Sequence, residues 1–533
     1  MKSNYILFPI LGLLAATSMT GCYDMDTAPM DQYITDEQKT QAKEDMPSSA
    51  QAGITGITGL FSTFCQVLNG ERHNDFGFPS IMLASDSRGI DMVGVNTDFN
   101  WFQESTAMSD CNASSDATEI CWANCYRQIF AANTALKAID PLTDDPTLKF
   151  YMAQAKAMRA YDYLLLAQTY QFTYVGNEDK PCVMLVTEEN EEEYALNGSG
   201  RATVGAVYGQ IMSDLNSAIE LLSSSGIKPS DVLTSKPKRF VSLAVAYGLR
   251  ARANLIMNKW QEAASDASDA ITYFSGMPSG LDVAAAPGFS SINEENWMWG
   301  IAIAPTDRVV TSGIVNFPSH MGSLNFGYAS VGAWRSVNKK LYDYIPDTDV
   351  RKGWFLDADS RSVNLSETQQ AYVDEKKIPA YVQVKFAPYL GLVGTTENVC
   401  DIPLMRVEEM YYIKAEATAM AGGDGASILN QFVRTYRNPA YSFSGSGTDV
   451  QNECWMQRRV EFFGEGITTF DLMRLNKPFD RTGGGWPAVF NYNVPANSPV
   501  LFLCIPESEQ NGNKAFSSSQ NNSPAPRPTA VVE

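Results

Sequence analysis

The stretch Pro-Leu-Met-Arg-Val-Glu-Glu-Met-Tyr-Tyr-Ile-Lys-Ala-Glu-Ala, residues 403–417, places apolar side chains at the spacing of a helix. Four of them fall on one helical face: Leu404, Val407, Tyr411 and Ala415. This pattern predicts an amphipathic helix whose apolar stripe is buried against the rest of the protein. Arg406 and Glu409 lie three residues apart, a spacing that favours an ion pair on the helix surface.

A second stretch, Gln-Arg-Arg-Val-Glu-Phe-Phe-Gly-Glu-Gly at residues 457–466, precedes Phe-Asp-Leu-Met-Arg at residues 470–474. Gly464 and Gly466 are predicted to end one helix, which allows another to begin after them. The charged residues around this turn are then expected to lie close together and to lock the corner: Arg458, Glu461, Glu465, Asp471 and Arg474. The alternative, a catalytic carboxylate pair of Glu461 and Glu465, would need a cleft and a defined separation.

Both stretches resemble the most characteristic motifs of the SusD/RagB family of surface nutrient-binding lipoproteins. Ile-Pro-Glu-Ser-Glu at residues 505–509 resembles that family's C-terminal signature, and Ala-Met-Arg-Ala-Tyr at residues 157–161 is a weaker echo of the family. The chain departs from the family pattern at Gln457, where Glu is usual, and at Thr468-Thr469, where a basic residue is common. These departures concern local ion pairing.

The resemblance implies a mainly α, SusD-like fold, in which tetratricopeptide-type helix pairs form a scaffold and a loop-rich part carries short strands. It also implies a function. A cell-surface lipoprotein of this kind binds a nutrient oligomer and delivers it to a SusC-like TonB-dependent transporter in the outer membrane. An oligosaccharide is the favoured ligand, and a peptide, as for RagB-like members, stays open.

Helical periodicity extends through much of the chain outside these motifs. The predicted helices cover residues 119–139, 147–169, 203–222, 242–257 and 260–274. Small residues recur in the last two, which lets paired helices approach closely, similar to tetratricopeptide stacking. The strict repeat signature of tetratricopeptide proteins is missing.

Residues 275–402 differ in composition from the helical part, because they are richer in glycine, proline, serine and aromatic residues and lack helical periodicity over long stretches. Short strands are predicted at residues 297–304 and 380–386. The resulting interpretation is a single SusD-like domain over residues 46–533. Its predicted parts are a helical scaffold at about 46–274 and 403–475, a loop-rich ligand part at about 275–402, and a C-terminal tail at about 476–533.

The first residues carry an export signal. Lys2 gives a short positive start, residues 6–16 form an apolar run, and Ser-Met-Thr-Gly-Cys at residues 18–22 resembles the lipobox of bacterial lipoproteins. The run is about half of the ~20 residues needed to span a bilayer, so it fits a signal peptide over residues 1–21 that is removed. Cys22 would then carry acyl chains and anchor the protein to the outer membrane, facing the cell exterior. Residues 22–45 would form an acidic tether.

The composition argues against several classes of function. A formal net charge of −20 disfavours nucleic acid and anionic lipid surfaces as partners. The two histidines, His73 and His320, and the scattered cysteines stand in no ligand pattern, so no metal site is predicted. Disulfides stay open, since pairing cannot be read from spacing. The acidic run at residues 188–193 is interpreted as a solvated loop rather than a cation site.

The sequence lacks the catalytic motifs that are easiest to recognise: the nucleophile elbow, His-Glu-x-x-His and the phosphate-binding loop. We therefore predict a binding protein without catalytic residues and without a cofactor. Two alternatives stay open. One is a surface hydrolase, for example a glycosidase with paired carboxylates, and the other is a helical scaffold that binds no small ligand.

Sugars bind by laying the apolar faces of their rings on aromatic side chains while amides and carboxylates bond their hydroxyls, and binding residues favour loops. Two loop segments carry this mixture, residues 85–102 and residues 325–335. The predicted stacking residues are Trp101, Tyr328 and Trp334, and the predicted polar partners are Asp86, Arg88, Asn100 and Asn325. The alternative is that Trp101 and Trp334 belong to the core, as is predicted for Trp297 and Trp299.

Overall fold

The computed structural model describes residues 51–532, which form part of one compact unit. The predicted signal peptide, Cys22 and the acidic tether lie outside the described residues. The helices are α1 (residues 51–59), α2 (Phe78–Arg88), α3 (Gln103–Thr106), α4 (Asp116–Ala138), α5 (Pro146–Tyr170), α6 (Glu191–Asn197), α7 (Val204–Ser225), α8 (Pro229–Val232), α9 (Leu243–Ile256), α10 (Trp260–Tyr273), α11 (Leu281–Ala285), α12 (Arg308–Thr311), α13 (Phe317–Met321), α14 (Lys339–Tyr344), α15 (Glu367–Lys376), α16 (Val407–Met420), α17 (Gly425–Tyr436), α18 (Thr448–Glu461), α19 (Thr468–Arg474) and α20 (Glu507–Gly512).

Short 3-10 turns and three two-stranded sheets complete the described part of the chain. The turns are Pro237–Arg239, Tyr328–Ser330, Val350–Trp354, Tyr389–Gly391, Ala488–Phe490, Pro499–Leu501 and Ser518–Gln520. The strands are β1 (Met92–Gly94), β2 (Trp297–Ile301), β3 (Arg335–Val337), β4 (Ile402–Arg406), β5 (Phe479–Asp480) and β6 (Asn493–Val494). β1 pairs with β3, β2 with β4 and β5 with β6, each antiparallel.

The long helices pack in a continuous series. α4 lies on α5, α5 on α7, α7 on α9, α9 on α10, and α10 on α16, which also contacts α17 and α18. Alanines allow the close approach of α9 and α10, since those at the interface are fully buried: Ala251, Ala253, Ala263, Ala267 and Ala270. The predicted mainly helical architecture of paired helices with short strands is therefore confirmed.

Local capping explains where these helices begin. The side chains of Ser115, Thr203 and Ser242 each accept a hydrogen bond from a backbone N–H in the first turn of α4, α7 and α9. Such a cap satisfies an N–H that would otherwise lack a partner. The five helices predicted between residues 119 and 274 are confirmed, with ends that differ by a few residues. Part of the acidic run forms the short helix α6 instead of a loop.

Two expectations about strands and helix boundaries are wrong. Residues 402–406 form strand β4, and the helix of the opening motif begins only at Val407. β4 is fully buried against β2, whose Trp297 and Trp299 are core residues as predicted. No strand forms at residues 380–386, where single bridges join Val382 to Ser336 and Gln383 to Phe355. In the helix itself Tyr412 is buried and Tyr411 is only partly so.

A buried charge network joins the loop-rich part to the helical scaffold. Its four basic and four acidic members are Arg351, Lys385, Arg406, Arg437, Asp349, Glu408, Glu461 and Glu465. Each is at most 8% exposed, so the charges are shielded from water and depend on one another. The predicted surface pair of Arg406 and Glu409 is wrong. Arg406 belongs to this network, and Glu409 pairs with Arg252 at 2.6 Å instead.

Within residues 51–532, none of the helices combines the length and the apolar character that a bilayer span requires.

Candidate ligand-binding site

Five aromatic rings follow one another from the surface into the interior, and we call them the aromatic ladder: Trp101, His73, Tyr328, His320 and Phe76. The ring centroids of Trp101 and His73 are 4.6 Å apart, and the two rings are stacked with an angle of 24° between their planes. Those of His73 and Tyr328 are 5.8 Å apart, and Tyr328 stacks on His320 at 4.7 Å. His320 stacks in turn on Phe76 at 5.4 Å. The ladder is therefore one packed unit rather than a set of separate side chains.

The pairing of β1 with β3 brings the two predicted ligand segments together. Trp101 lies in the loop after β1, and Tyr328 lies in the 3-10 turn before β3, with Val93 opposite Ser336 in the antiparallel register. Arg335 at the start of β3 donates to Asn100 Oδ1 at 3.1 Å, which ties the two loops next to the ladder. Segments more than two hundred residues apart thus form one surface.

The ladder has a solvent-exposed end, Trp101 and His73, which we call the wet end, and a buried end, His320 and Phe76, which we call the dry end. Trp101 and His73 are partly exposed, Tyr328 is 9% exposed, and His320 and Phe76 are buried. Burial, together with the positive charge of Arg335, lowers the pKa of His320 to about 3, so its imidazole is neutral. Its Nε2 accordingly donates to the carbonyl oxygen of His73 at 2.7 Å. This hydrogen bond holds the dry end rigid beneath the exposed rings.

Tyr328 connects the two ends through its hydroxyl group. The hydroxyl forms a hydrogen bond with His73 Nδ1, and the Trp101 side chain acts to lower the pKa of this hydroxyl. Burial raises the pKa of Tyr328, so the phenol stays protonated and available as a hydrogen-bonding group. The exposed rings are therefore held in place before any ligand arrives, which lowers the entropic cost of binding.

Of the predicted stacking residues, the structure brings Trp101 and Tyr328 together in the ladder. Trp334 is partly buried and packs with Leu365 and Tyr372 on a small apolar cluster under the same loop. The ladder also gains His73, which sequence reasoning missed. The one sequence feature that could have indicated His73 is the scarcity of histidine: the chain has two histidines, and both belong to the ladder.

The four predicted polar partners are buried and form hydrogen bonds with other parts of the chain. Asp86 accepts from the Gly466 N–H at 3.0 Å, and Arg88 donates to Asp110 and, at 2.6 Å, to the Val500 carbonyl. Asn325 donates to Asn398 at 2.8 Å. Burial raises the pKa of Asp86 to about 7. Asp86 and Arg88 lie in the last turn of helix α2, so the prediction that the first ligand segment begins as a loop is wrong. In this conformation Asp86, Arg88, Asn100 and Asn325 are not presented to a ligand, because they are buried.

Three exposed apolar side chains lie within three residues of Trp101 or Tyr328 in the sequence. Phe99 is 52% exposed, Phe326 is 46% exposed and Val331 is 45% exposed. Phe99 lies two residues before Trp101 and rests near Gly332, which connects it to the other loop. Exposed apolar side chains of this kind make the two loops a candidate surface for ligand contact.

Glu461 and Glu465 do not form a catalytic pair. Glu461 accepts from Arg437 at 2.7 Å and from Arg406 at 3.0 Å, while Glu465 binds Arg406 and Lys385. Burial alone would raise the pKa of Glu461, but Arg437 and Arg406 outweigh burial and hold that pKa well below its usual value. A carboxylate that is fully ion-paired and closed off from solvent has no role as a general acid.

Two family models match the chain. One, described as "Starch-binding associating with outer membrane", matches residues 80–255, and the other, described as "SusD family", matches residues 360–524. A comparison with curated protein sequences finds no match.

Solved structures of similar shape cover nearly the whole chain. A SusD-like carbohydrate binding protein from Bacteroides vulgatus is 22% identical, with a TM-score of 0.72 over 89% of this chain and 98% of that one. A SusD superfamily protein from Bacteroides thetaiotaomicron is 19% identical, with a TM-score of 0.71 over 90% and 99%. Surface glycan-binding protein A from Bacteroides thetaiotaomicron, in complex with laminarihexaose, is 16% identical, with a TM-score of 0.61 over 87% and 97%.

Proposed function

The chain belongs to the SusD/RagB family, and from this premise we propose that it is a cell-surface lipoprotein that binds a nutrient glycan. The observation that carries the proposal is the aromatic ladder with Trp101 at its exposed end. A pyranose ring offers an apolar face of C–H groups, and a rigid tryptophan offers a flat apolar surface to receive it. The laminarihexaose complex of a relative with the same fold supports a glycan as ligand.

We propose binding without turnover. The motif carboxylates Glu461 and Glu465 are held in the buried network, where both pair with Arg406. The test is calorimetry with laminarihexaose and other neutral hexasaccharides, followed by chromatography of the same mixtures after long incubation. We expect saturable heat with at least one glycan and no shortened product. Release of smaller sugars by the pure protein would replace this proposal with the hydrolase alternative.

Delivery to a transporter is the second part of the proposal. A SusC-like TonB-dependent transporter is the partner that family membership suggests, with this chain held over it on the outer face of the outer membrane. The association of the matching family model with the outer membrane supports this placement. Gentle detergent extraction of cells grown on the inducing glycan is expected to recover the two proteins together.

Attachment to the membrane is proposed to depend on Cys22, which lies outside the described residues. Two or more acyl chains anchor a protein stably, because each buried methylene contributes about 0.8 kcal/mol. Cys22→Ala is therefore expected to move the protein from the membrane fraction to the soluble fraction, measured by fractionation and immunoblotting. A variant that still sediments with membranes after a salt wash would show that the anchor lies elsewhere.

A further inference from the structure

A small pocket opens beside the wet end of the ladder, between the loop that carries Trp101 and the first turn of α4. The volume of the pocket, together with the open space at its mouth, is about 290 Å³. Its apolar wall includes Trp101 and Phe102, and its polar wall includes Asn74, Glu104 and Asp116. Because Trp101 borders both the pocket and the exposed surface, a sugar stacked on the tryptophan would have the pocket within reach.

The polar wall of this pocket is rich in hydrogen-bond acceptors. Asn74 is 7% exposed, and its Nδ2 donates to Asp116 at 3.1 Å. That leaves Asn74 Oδ1 as an acceptor without a partner among the described residues. Glu104 Oε2 already accepts the backbone N–H of Asp116 at 3.3 Å, so this N–H at the start of α4 is not free to bind an anion. A ligand that donates hydrogen bonds fits this wall, whereas one that only accepts them does not.

The charge of the wall is negative and weakly compensated. Burial, and then the charges of Asp110 and Asp116, raise the pKa of Glu104 to about 7, so that a cation bound beside it would favour its ionised form. Arg72 approaches Asp116 at 3.5 Å, but its side chain is 48% exposed and the pair is screened by water. Arg88 is not available to the pocket, since it is paired with Asp110. A ligand cation would supply the missing charge.

We propose that this pocket receives the protonated amine of an amino-sugar residue, so that the glycans bound are hexosamine oligomers with free amino groups. The inference rests on the proposed glycan-binding function. The ammonium group would donate to Asn74 Oδ1, Glu104 and Asp116, and the face of Trp101 would add a cation–π contact. The net charge of −20 also draws a polycationic glycan towards the protein and repels sulfated or uronic-acid polymers.

The experiment compares three hexasaccharides by calorimetry at neutral pH and low salt: a glucosamine hexamer, its N-acetylated counterpart and laminarihexaose. We expect the glucosamine hexamer to bind at least tenfold more tightly than the N-acetylated one. Glu104→Gln is expected to remove this preference, because the amide keeps the acceptor for the Asp116 N–H and loses the charge. Glu119→Gln is the matched control, since Glu119 lies in the same first turn of α4 outside the pocket.

If the N-acetylated hexamer or laminarihexaose binds as tightly as the amine, the inference is overturned and the proposed glycan-binding function stands. If the preference survives Glu104→Gln, overall charge causes it and the pocket assignment is wrong. If none of the glycans binds, both the amino-sugar inference and the proposed glycan-binding function are wrong. Should Glu104→Gln fail to fold, Asp116→Asn must produce the same loss of preference, since it also removes one charge from the wall.

Discussion

Glu461→Ala is expected to leave the protein unfolded or aggregated under conditions in which the parent chain is folded. The Glu461 carboxylate is fully buried and accepts hydrogen bonds from Arg351, Arg406 and Arg437. Removing one partner of a buried ion pair costs about 3–5 kcal/mol, because the other charge stays buried without compensation. Here three guanidinium groups lose a partner at once, against a total stability of about 5–15 kcal/mol for a typical protein.

Glu453→Ala serves as the matched control for this substitution. Glu453 lies two turns earlier in the same helix, α18, but accepts only from the neutral groups of Tyr344, Tyr441 and Gln457. Its loss is expected to lower the melting temperature far less, as measured by calorimetry or circular dichroism. If the two variants melt alike, the buried network is not what joins the loop-rich part to the scaffold.

The same network predicts how stability depends on pH. The pKa of Glu461 in the folded state lies below its usual value, since Arg437 and Arg406 outweigh the effect of burial. The stabilisation is therefore fully present above the unfolded-state pKa of about 4.3, and it is lost as the pH falls through the folded-state pKa. The melting temperature of the parent chain should accordingly decline on acidification below that range.

Trp101→Ala is expected to weaken glycan binding at least tenfold, equivalent to about 1.4 kcal/mol, while changing the melting temperature little. The side chain is partly exposed, so its removal opens the wet end of the ladder and leaves no closed cavity. His73 loses its stacking partner, but His320 and Phe76 below it keep theirs. Calorimetry with whichever neutral hexasaccharide the parent chain binds provides the measurement.

Trp455→Ala controls for the loss of a tryptophan as such. Trp455 on α18 is also partly exposed, but its ring lies against Arg459 of the same helix and against Lys477, which follows α19. This variant should bind the glycan as the parent does. Trp334→Ala tests the other proposed stacking tryptophan, and weaker binding is expected there too. If Trp101→Ala binds normally, or loses stability instead of affinity, Trp101 is a core residue and the glycan site lies elsewhere.

The sequence alone was sufficient for the helical scaffold. Periodicity placed α4, α5, α7, α9 and α10 within a few residues of their observed ends, because the side chains that face a packed neighbour recur at helical spacing. Of the five charged residues predicted to lock the corner, Arg458 binds Asp471 across it, and Arg474 binds Asp471 within α19. Glu461 and Glu465 instead pair with Arg406 in the buried network. Trp101 and Tyr328, which loop composition predicted to stack on a ligand, both lie in the aromatic ladder, and their contact with a sugar stays a prediction.

Tertiary structure decided what local pattern does not encode. The motif that opens the scaffold's second half begins as strand β4, because β2 offers it a partner from a hundred residues earlier. Two partners of Arg406, Glu461 and Glu465, lie 55 and 59 positions away in the sequence, so no spacing rule could find them. His73 joined the ladder, and Asp86, Arg88, Asn100 and Asn325 turned inward, through contacts between distant segments. Periodicity reports which side of an element is buried, whereas the identity of the neighbour depends on how the whole chain packs.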